Sequence, residues 1–199
     1  MPMGRRWHMR KLIFSINMTL DGYIDHTAVV ADDVLHEKAT ALLRGVDIVL
    51  YGRFGYPLMA EYWPAAPSDP SLSPSAREFA DAINGIRKIV YSKTMERASW
   101  NTRIVREVDP DEVRALKRLP GRDILLGPGA AIARTFMALD LIDEYRLVVQ
   151  PVVLGKGKRL FSDDGRRKDF LLIGKTACCS GVVELRYQPK CDSPNRPQS

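Results

Sequence analysis

The 199-residue chain is poor in the residues that build metal and disulfide sites: it has three cysteines and three histidines. Cys178 and Cys179 are neighbours in a stretch that reads as strand, so their side chains point to opposite faces. An odd number of thiols in that arrangement fits neither a disulfide framework nor a zinc site, and a reducing cytoplasm is the expected compartment. His8, His26 and His36 are too far apart to suggest a three-histidine site, so no metal is expected. No apolar run approaches the length of a membrane span. MPMGRRWHMRKLIF lacks the apolar stretch and cleavage site of a signal peptide. The chain also lacks a G-x-G-x-x-G turn after its first strand, a Walker loop, H-E-x-x-H and G-x-S-x-G.

The charge balance is +6. Part of that excess lies in the terminal segments 1–9 and 188–199, expected to be flexible and disordered around a folded unit spanning 10–187. No basic stripe interleaved with aromatics accompanies it, which argues against nucleic acid as a partner and for a small anionic ligand.

Strand and helix patterns alternate through the first two-thirds of the chain. Strands are expected at Lys11–Asn17, Val46–Tyr51, Arg87–Ser92, Thr102–Arg106 and Ile124–Leu126. Helices are expected from Asp32 or Asp33 to Leu43, and over Ala76–Ile83, Pro110–Leu119 and Ala130–Leu139. Strands alone follow, at Glu144–Val149, Pro151–Leu154, Phe170–Cys178 and Val182–Tyr187, the last two forming a hairpin that turns near Ser180–Gly181. This order predicts an α/β fold with a mostly parallel sheet and an antiparallel edge. The proline-rich segment 57–75 reads as a long ordered loop, with Tyr62 and Trp63 anchoring it.

Three strand ends carry chemistry. DILLGPG at 123–129 runs from a strand through Gly127, Pro128 and Gly129 into the helix opening at Ala130, and a helix N-terminus offers unpaired N–H groups to a phosphate. Gly52 and Arg53 follow the second strand, where backbone can approach a ligand and a guanidinium can fork onto a phosphate. Ser92, Lys93 and Thr94 follow the third. Ligands of open α/β sheets collect at such carboxyl ends. Asp21, in TLDGY, is a candidate proton relay or a turn cap, and Asn17 at the end of the first strand could serve beside it. Asp143 reads as a helix stop or the partner of a basic group. Tyr56 and Trp63 could wall a flat ring.

Together KLIFSINMTLDGYI at 11–24, LYGRFGY at 50–56, IVYSKT at 89–94 and the long segment ILLGPGAAIARTFMALDLIDEYRLVVQPVVLGKGKRLF at 124–161 resemble the dihydrofolate reductase superfamily. The branch most similar contains the C-terminal reductase domain of the bacterial riboflavin-biosynthesis deaminase/reductase. No deaminase domain is expected before Arg10. The resemblance implies a dihydrofolate-reductase-like twisted, mostly parallel sheet with flanking helices and a C-terminal antiparallel hairpin. It implies NADPH as hydride donor, with Gly127, Pro128, Gly129 and Ala130 at the pyrophosphate, Gly52 and Arg53 near the cofactor's phosphates, and Ser92 near the adenosine 2′-phosphate. Lys93 and Thr94 extend that site. Asp21 and Asn17 would stand at the substrate and nicotinamide, and a homodimer is expected. Two departures stand out: Gly55 where relatives carry threonine, and Pro128 at the middle of the later glycine turn. The alternative is an inactive, sensor-like protein that binds a nucleotide or pterin in the same fold.

Overall fold

The structure is a computed structural model, which describes residues 9–29, 32–161, 163, 165–178 and 180–190. Cys179, Cys191, His8 and both expected disordered ends, save residues 9 and 188–190, lie outside that set.

Among the described residues, ten strands and five α-helices follow in the order β1 (Leu12–Thr19), β2 (Tyr23–Ile24), α1 (Asp33–Arg44), β3 (Val46–Gly52), α2 (Gly55–Tyr62), α3 (Pro74–Gly85), β4 (Arg87–Tyr91), β5 (Thr102–Val105), α4 (Pro110–Arg118), β6 (Asp123–Leu126), α5 (Ala130–Ala138), β7 (Glu144–Gln150), β8 (Lys158–Arg159), β9 (Phe170–Ala177) and β10 (Val183–Pro189). Eight strands form one sheet in the order β5-β4-β3-β6-β1-β7-β10-β9. The first six are parallel, β10 runs antiparallel to β7, and β9 runs antiparallel to β10, back in the direction of the first six. The expected architecture is therefore present, including the hairpin turning at Gly181, whose φ is +82°.

The buried strands explain the near-continuous apolar runs. Leu12, Phe14, Val46, Val49 and Leu50 are fully enclosed. One face of the sheet packs Ile132, Ala133 and Phe136 of α5 and Val113 of α4. The other packs Leu43 of α1, Tyr56 of α2, and Phe79 and Ile83 of α3. Helix starts follow the capping residues: Asp32 accepts from the Leu35 N–H at 2.7 Å and Ser73 from the Ala76 N–H. Asp143 pairs with a basic group, accepting from Lys117 Nζ at 2.7 Å and from the Leu12 amide, and so ties the end of α4 to the start of β1.

Three expectations need correction. The segment 57–75 is not one loop: it holds most of α2 and a 3₁₀ turn at Ala66–Ser68. Pro57 sits in the first turn of α2, where its missing N–H would have had no intrahelical partner. Residues 151–154 form no strand. Pro151 ends the ladder, and the chain folds back so that the Leu20 amide donates to the Val152 carbonyl. The last strand runs to Pro189, two residues beyond the expected limit of the folded unit.

β3 leads into α2 on one face, and β6 leads into α5 on the other. The connections that leave these adjacent strands go to opposite faces, which makes the carboxyl edge between them the topological switch point of the sheet.

Lys88, on β4, is 1% exposed. Its Nζ donates to the carbonyls of Ile83 and Asn84 at the end of α3 and lies 4.0 Å from the Trp100 ring centroid. Burial pushes its ammonium down to about 8. The unfolded chain keeps that proton to about pH 10.5, so folding gains stability from this group as pH rises from about 8 to 10.5. Lys88→Met should lack that gain. The melting-temperature difference, parent minus variant, is expected to widen between pH 7.5 and 10; a pH-independent difference would show that Lys88 keeps its proton.

Candidate functional site

At the switch point lies a cleft of about 630 Å³, lined by Gly52, Arg53, Phe54, Gly55, Ser92, Lys93, Thr94, Pro128, Gly129 and Ala130. Three strand ends 40 or so residues apart thus meet in one place. The N-termini of α2 and α5 both open there. Gly129 has φ +145°, a conformation reserved for glycine, and its carbonyl accepts the first helical bond, from the Ala133 N–H. The N–H groups of Ala130, Ala131 and Ile132 precede that bond and have no intrahelical acceptor, so the end of α5 presents donors and a positive dipole to the cleft.

Four cations line this cleft, Arg53, Lys93, Arg106 and Lys158, against one carboxylate, Glu107. Arg53 and Lys158 both lie over the ring of the exposed Phe54, at 4.3 and 5.4 Å from its centroid. Arg106 donates to the carbonyls of Ser92 and Met95, the latter at 2.7 Å, and fixes the loop that carries Lys93. Ser92 is buried, and its Oγ accepts from the Met95 N–H. Sequence reasoning did not single out Phe54, Arg106 or Lys158. Lys158 lies in the quoted GKGKRLF, and pairing of β8 with β2 places it beside Ile24.

A second cavity, of about 420 Å³, adjoins the cleft across Ile24 and Pro128, which line both. Asn17, Trp63, Tyr51, Met59 and Phe79 are among its walls. Trp63 packs edge-on against Phe79 at 4.5 Å between centroids, so its ring is held. Asn17 Oδ1 accepts from Gln150 Nε2 at 3.0 Å, which leaves the Asn17 amide donors for a ligand.

Three expected site residues behave otherwise. Asp21 lines neither space. Its carboxylate accepts from the Thr19 hydroxyl at 2.5 Å and from the Gly155 and Leu154 amides at 2.7 and 3.2 Å. The Thr19 hydroxyl leads these contacts in holding it below the usual carboxylate range, and the carboxylate caps this turn. Tyr56 is buried against Tyr51 and Trp100, with its hydroxyl donating to the Ser99 carbonyl at 2.7 Å, and it too lines neither space. Gly127 faces the 420 Å³ cavity, and its N–H is taken by the Leu50 carbonyl at 2.8 Å, so it offers nothing to a phosphate.

A wider groove of about 860 Å³ carries Arg134, Arg166, Arg167 and Lys168. It lies along the C-terminal half of α5, where carbonyls rather than amides are free, and Lys168 is already spent on the Met137 carbonyl and Asp140. The amides without intrahelical acceptors are at the opposite end of that helix, at the cleft.

The RibD C-terminal domain model matches residues 10–184, nearly the whole folded unit. The chain belongs to the RibD C-terminal domain family. Its sequence is 33% identical over 181 residues to the uncharacterized protein YyaP of Bacillus subtilis, covering 89% of this chain and 94% of that one. A protein of Shewanella sp. PV-4 that carries a riboflavin-biosynthesis name superposes with a TM-score of 0.69 at 21% identity, over 91% and 99% of the two chains. Dihydrofolate reductase of Enterococcus faecalis, solved with NADP(H), superposes with a TM-score of 0.60 at 10% identity, over 91% and 97%. The likeness to these two structures is one of fold.

The two departures from the RibD-like motif prove to be one. A Cβ on Gly55 would lie 2.0 Å from the Pro128 carbonyl oxygen, a backbone atom that cannot swing aside. Threonine has no room there while Pro128 shapes the opposing turn. Gly55→Thr alone should lower the melting temperature by several degrees, consistent with a steric clash of about 2 kcal/mol. Adding Pro128→Gly, which frees the turn to shift, should recover part of that loss. Simple additivity of the two losses would show that the positions are not coupled.

Proposed function

We propose that the protein is an NADPH-dependent reductase of a small flat heterocycle, imine or carbonyl compound. The observation that supports this most is the shared wall. A cationic cleft at a helix N-terminus and an aromatic-walled cavity touch across Ile24 and Pro128, so a long cofactor in the first can reach a ring in the second. The residues fit the cofactor: a glycine cap that leaves α5 amides free, and Arg53 and Lys93 beside them for a further phosphate. NADPH bound there would supply the hydride.

The chain's own contribution is position and charge. Ala130, Ala131 and Ile132 hold the pyrophosphate by their N–H groups. Arg53 and Lys93 meet the 2′-phosphate, with Arg106 keeping the Ser92–Met95 loop in place. Asn17, oriented by Gln150, and Trp63 hold the substrate ring. With Asp21 locked in its turn, water delivers the proton that the reduced nitrogen or oxygen takes up.

The engagement of Asp21 by Thr19, Leu154 and Gly155 supports a second reading, a ligand-binding member without turnover. Oxidation of NADPH followed at 340 nm across pterins, flavin precursors and quinones decides between them: saturable binding with no turnover on any favours the second.

A homodimer completes the proposal. Leu171 and Leu172 of the edge strand β9 are 55% and 47% exposed, and among the described residues no strand lies beyond β9. Light scattering should give twice the 22.4 kDa chain mass at micromolar concentration. A mass of one chain throughout would rule this out.

Cofactor choice gives the sharpest test. A charge-assisted hydrogen bond contributes about 1.5–3 kcal/mol. Arg53→Ala and Lys93→Ala should each weaken NADPH binding about tenfold or more while leaving NADH within a factor of about three. Equal losses for both would mean that neither residue reads the 2′-phosphate, and no binding of either cofactor below millimolar would end the reductase reading.

A further inference from the structure

Lys38 stands on the inward side of α1. Leu35, Lys38, Ala39 and Leu42 recur at helical spacing, and all four line the 420 Å³ cavity. Three carboxylates, Asp25, Asp32 and Glu184, and the His36 ring line the same space. Lys38 Nζ donates to none of these but to Cys178 Sγ, at 2.8 Å. Cys178 follows β9, and the backbone pins it there. Its N–H donates to the Val182 carbonyl at 2.8 Å, and its carbonyl accepts from the Gly181 N–H at 3.1 Å. Ser180 lies in the turn that these bonds close and lines the cavity beside Cys178. Its Oγ is shielded from solvent and has no hydrogen-bond partner among the described residues. A thiol, an ammonium held on that thiol and an unspent hydroxyl thus share one wall of a cavity that a small molecule can enter.

We infer that Cys178 and Lys38 are an oxidative modification site, at which hydrogen peroxide joins the two side chains as a sulfenamide. The thiolate is the form of cysteine that attacks peroxide, and Lys38 supplies the positive partner that such an anion needs in a largely apolar wall. The Cys178 sulfur attacks one peroxide oxygen, the O–O bond breaks, and sulfur keeps that oxygen as a sulfenic acid. The hydroxide that leaves takes a proton from Lys38 and departs as water. The Lys38 amine then attacks the sulfenic sulfur. The N–S bond forms, the S–O bond breaks, and the second hydroxide leaves as water with a proton from that nitrogen. Sulfur gives up two electrons, and one peroxide accepts them in becoming two waters. The Ser180 hydroxyl is available to hydrogen-bond the sulfenic oxygen between the two steps. A dithiol reverses the bond: one thiol attacks sulfur and releases the amine, and the other resolves the mixed disulfide. The link fastens α1 to the turn between β9 and β10, two walls of the cavity, and closes a loop over residues 140 positions apart. It follows from this contact and requires no bound cofactor, so it stands apart from the reductase reading.

The test uses protein carrying Cys179→Ser and Cys191→Ser, which leaves Cys178 as the single thiol and removes disulfides from the outcome. After treatment with hydrogen peroxide, the intact mass should fall by two hydrogens. Peptide mapping should show the segment that holds Lys38 joined to the one that holds Cys178, and dithiothreitol should undo both changes. The oxidised protein should melt several degrees above the reduced one, because the link restricts the unfolded chain. Lys38→Arg keeps the charge; in that background Cys178 should stop at the sulfenic acid, which dimedone labels. Oxygen gained at Cys178 with no joined peptides, while Lys38 is present, overturns the proposal. So does an unchanged mass at millimolar peroxide. The same loss of two hydrogens in Lys38→Arg protein overturns it as well, since the bond would then lie on a backbone nitrogen. The unsubstituted chain is mapped alongside. There the joined Lys38–Cys178 pair supports the site, and disulfides through Cys178 to the exclusion of that pair overturn it.

Discussion

Backbone packed directly on side chain and backbone, where β3 and β6 end, is the constraint on which the rest of this structure depends. A Cβ on Gly52 would lie 2.8 Å from Ile132 Cβ, and one on Gly127 would lie 2.6 Å from Tyr51 Cε1. Gly55 against the Pro128 carbonyl is tighter still. Each of these glycines makes room for the protein itself, not for a ligand. Their joint effect is to bring the start of α2 and the turn before α5 into contact from opposite faces of the sheet. That contact brings two helix N-termini to one cleft and leaves Pro128 as part of the wall between cleft and cavity.

Charge then sorts the two spaces. The cleft draws its cations from four separate segments: the end of β3, the loop after β4, the residue after β5, and β8. The cavity draws its carboxylates from the segment before α1 and from β10. Neither set is visible as a local cluster in sequence. The sheet order brings them together, because β3 and β4 are neighbours on one side of β6, while β1, β7 and β10 follow one another on the other side.

Most of the fold was legible in the residues. Apolar runs marked the buried strands, Asp32 and Ser73 marked helix starts, and Pro151 marked a ladder's end, although the strand expected at and beyond it does not form. The change from alternating elements to strands alone marked the antiparallel edge. α2 was not legible, because three prolines between 57 and 67 argued for loop, and only the position of Pro57 within a first turn makes it harmless. Of the site, Gly129, Arg53 and Lys93 stood at strand ends where open sheets collect ligands, and the structure brings them into one cleft. Asp21 stood out for its chemistry, but a carboxylate beside Gly22 also suits a turn, and the amides of Leu154 and Gly155, some 130 residues away, claim it. Tyr56 could not be told from a ligand-facing aromatic until Ser99 was seen to take its hydroxyl. Phe54 and Lys158 carry no local signal at all: each sits in an ordinary strand or turn pattern, and only tertiary placement brings it to the cleft.

The central claim is that the N-terminus of α5, rather than the more spacious basic groove at its other end, receives the cofactor's phosphates. A crystal structure of the protein soaked with NADPH tests it most directly. The account predicts the pyrophosphate on the Ala130–Ile132 amides, the 2′-phosphate between Arg53 and Lys93, and the nicotinamide ring at Ile24 and Pro128, facing the cavity. Density for the cofactor in the groove lined by Arg134 and Lys168, with the glycine turn empty, would contradict it.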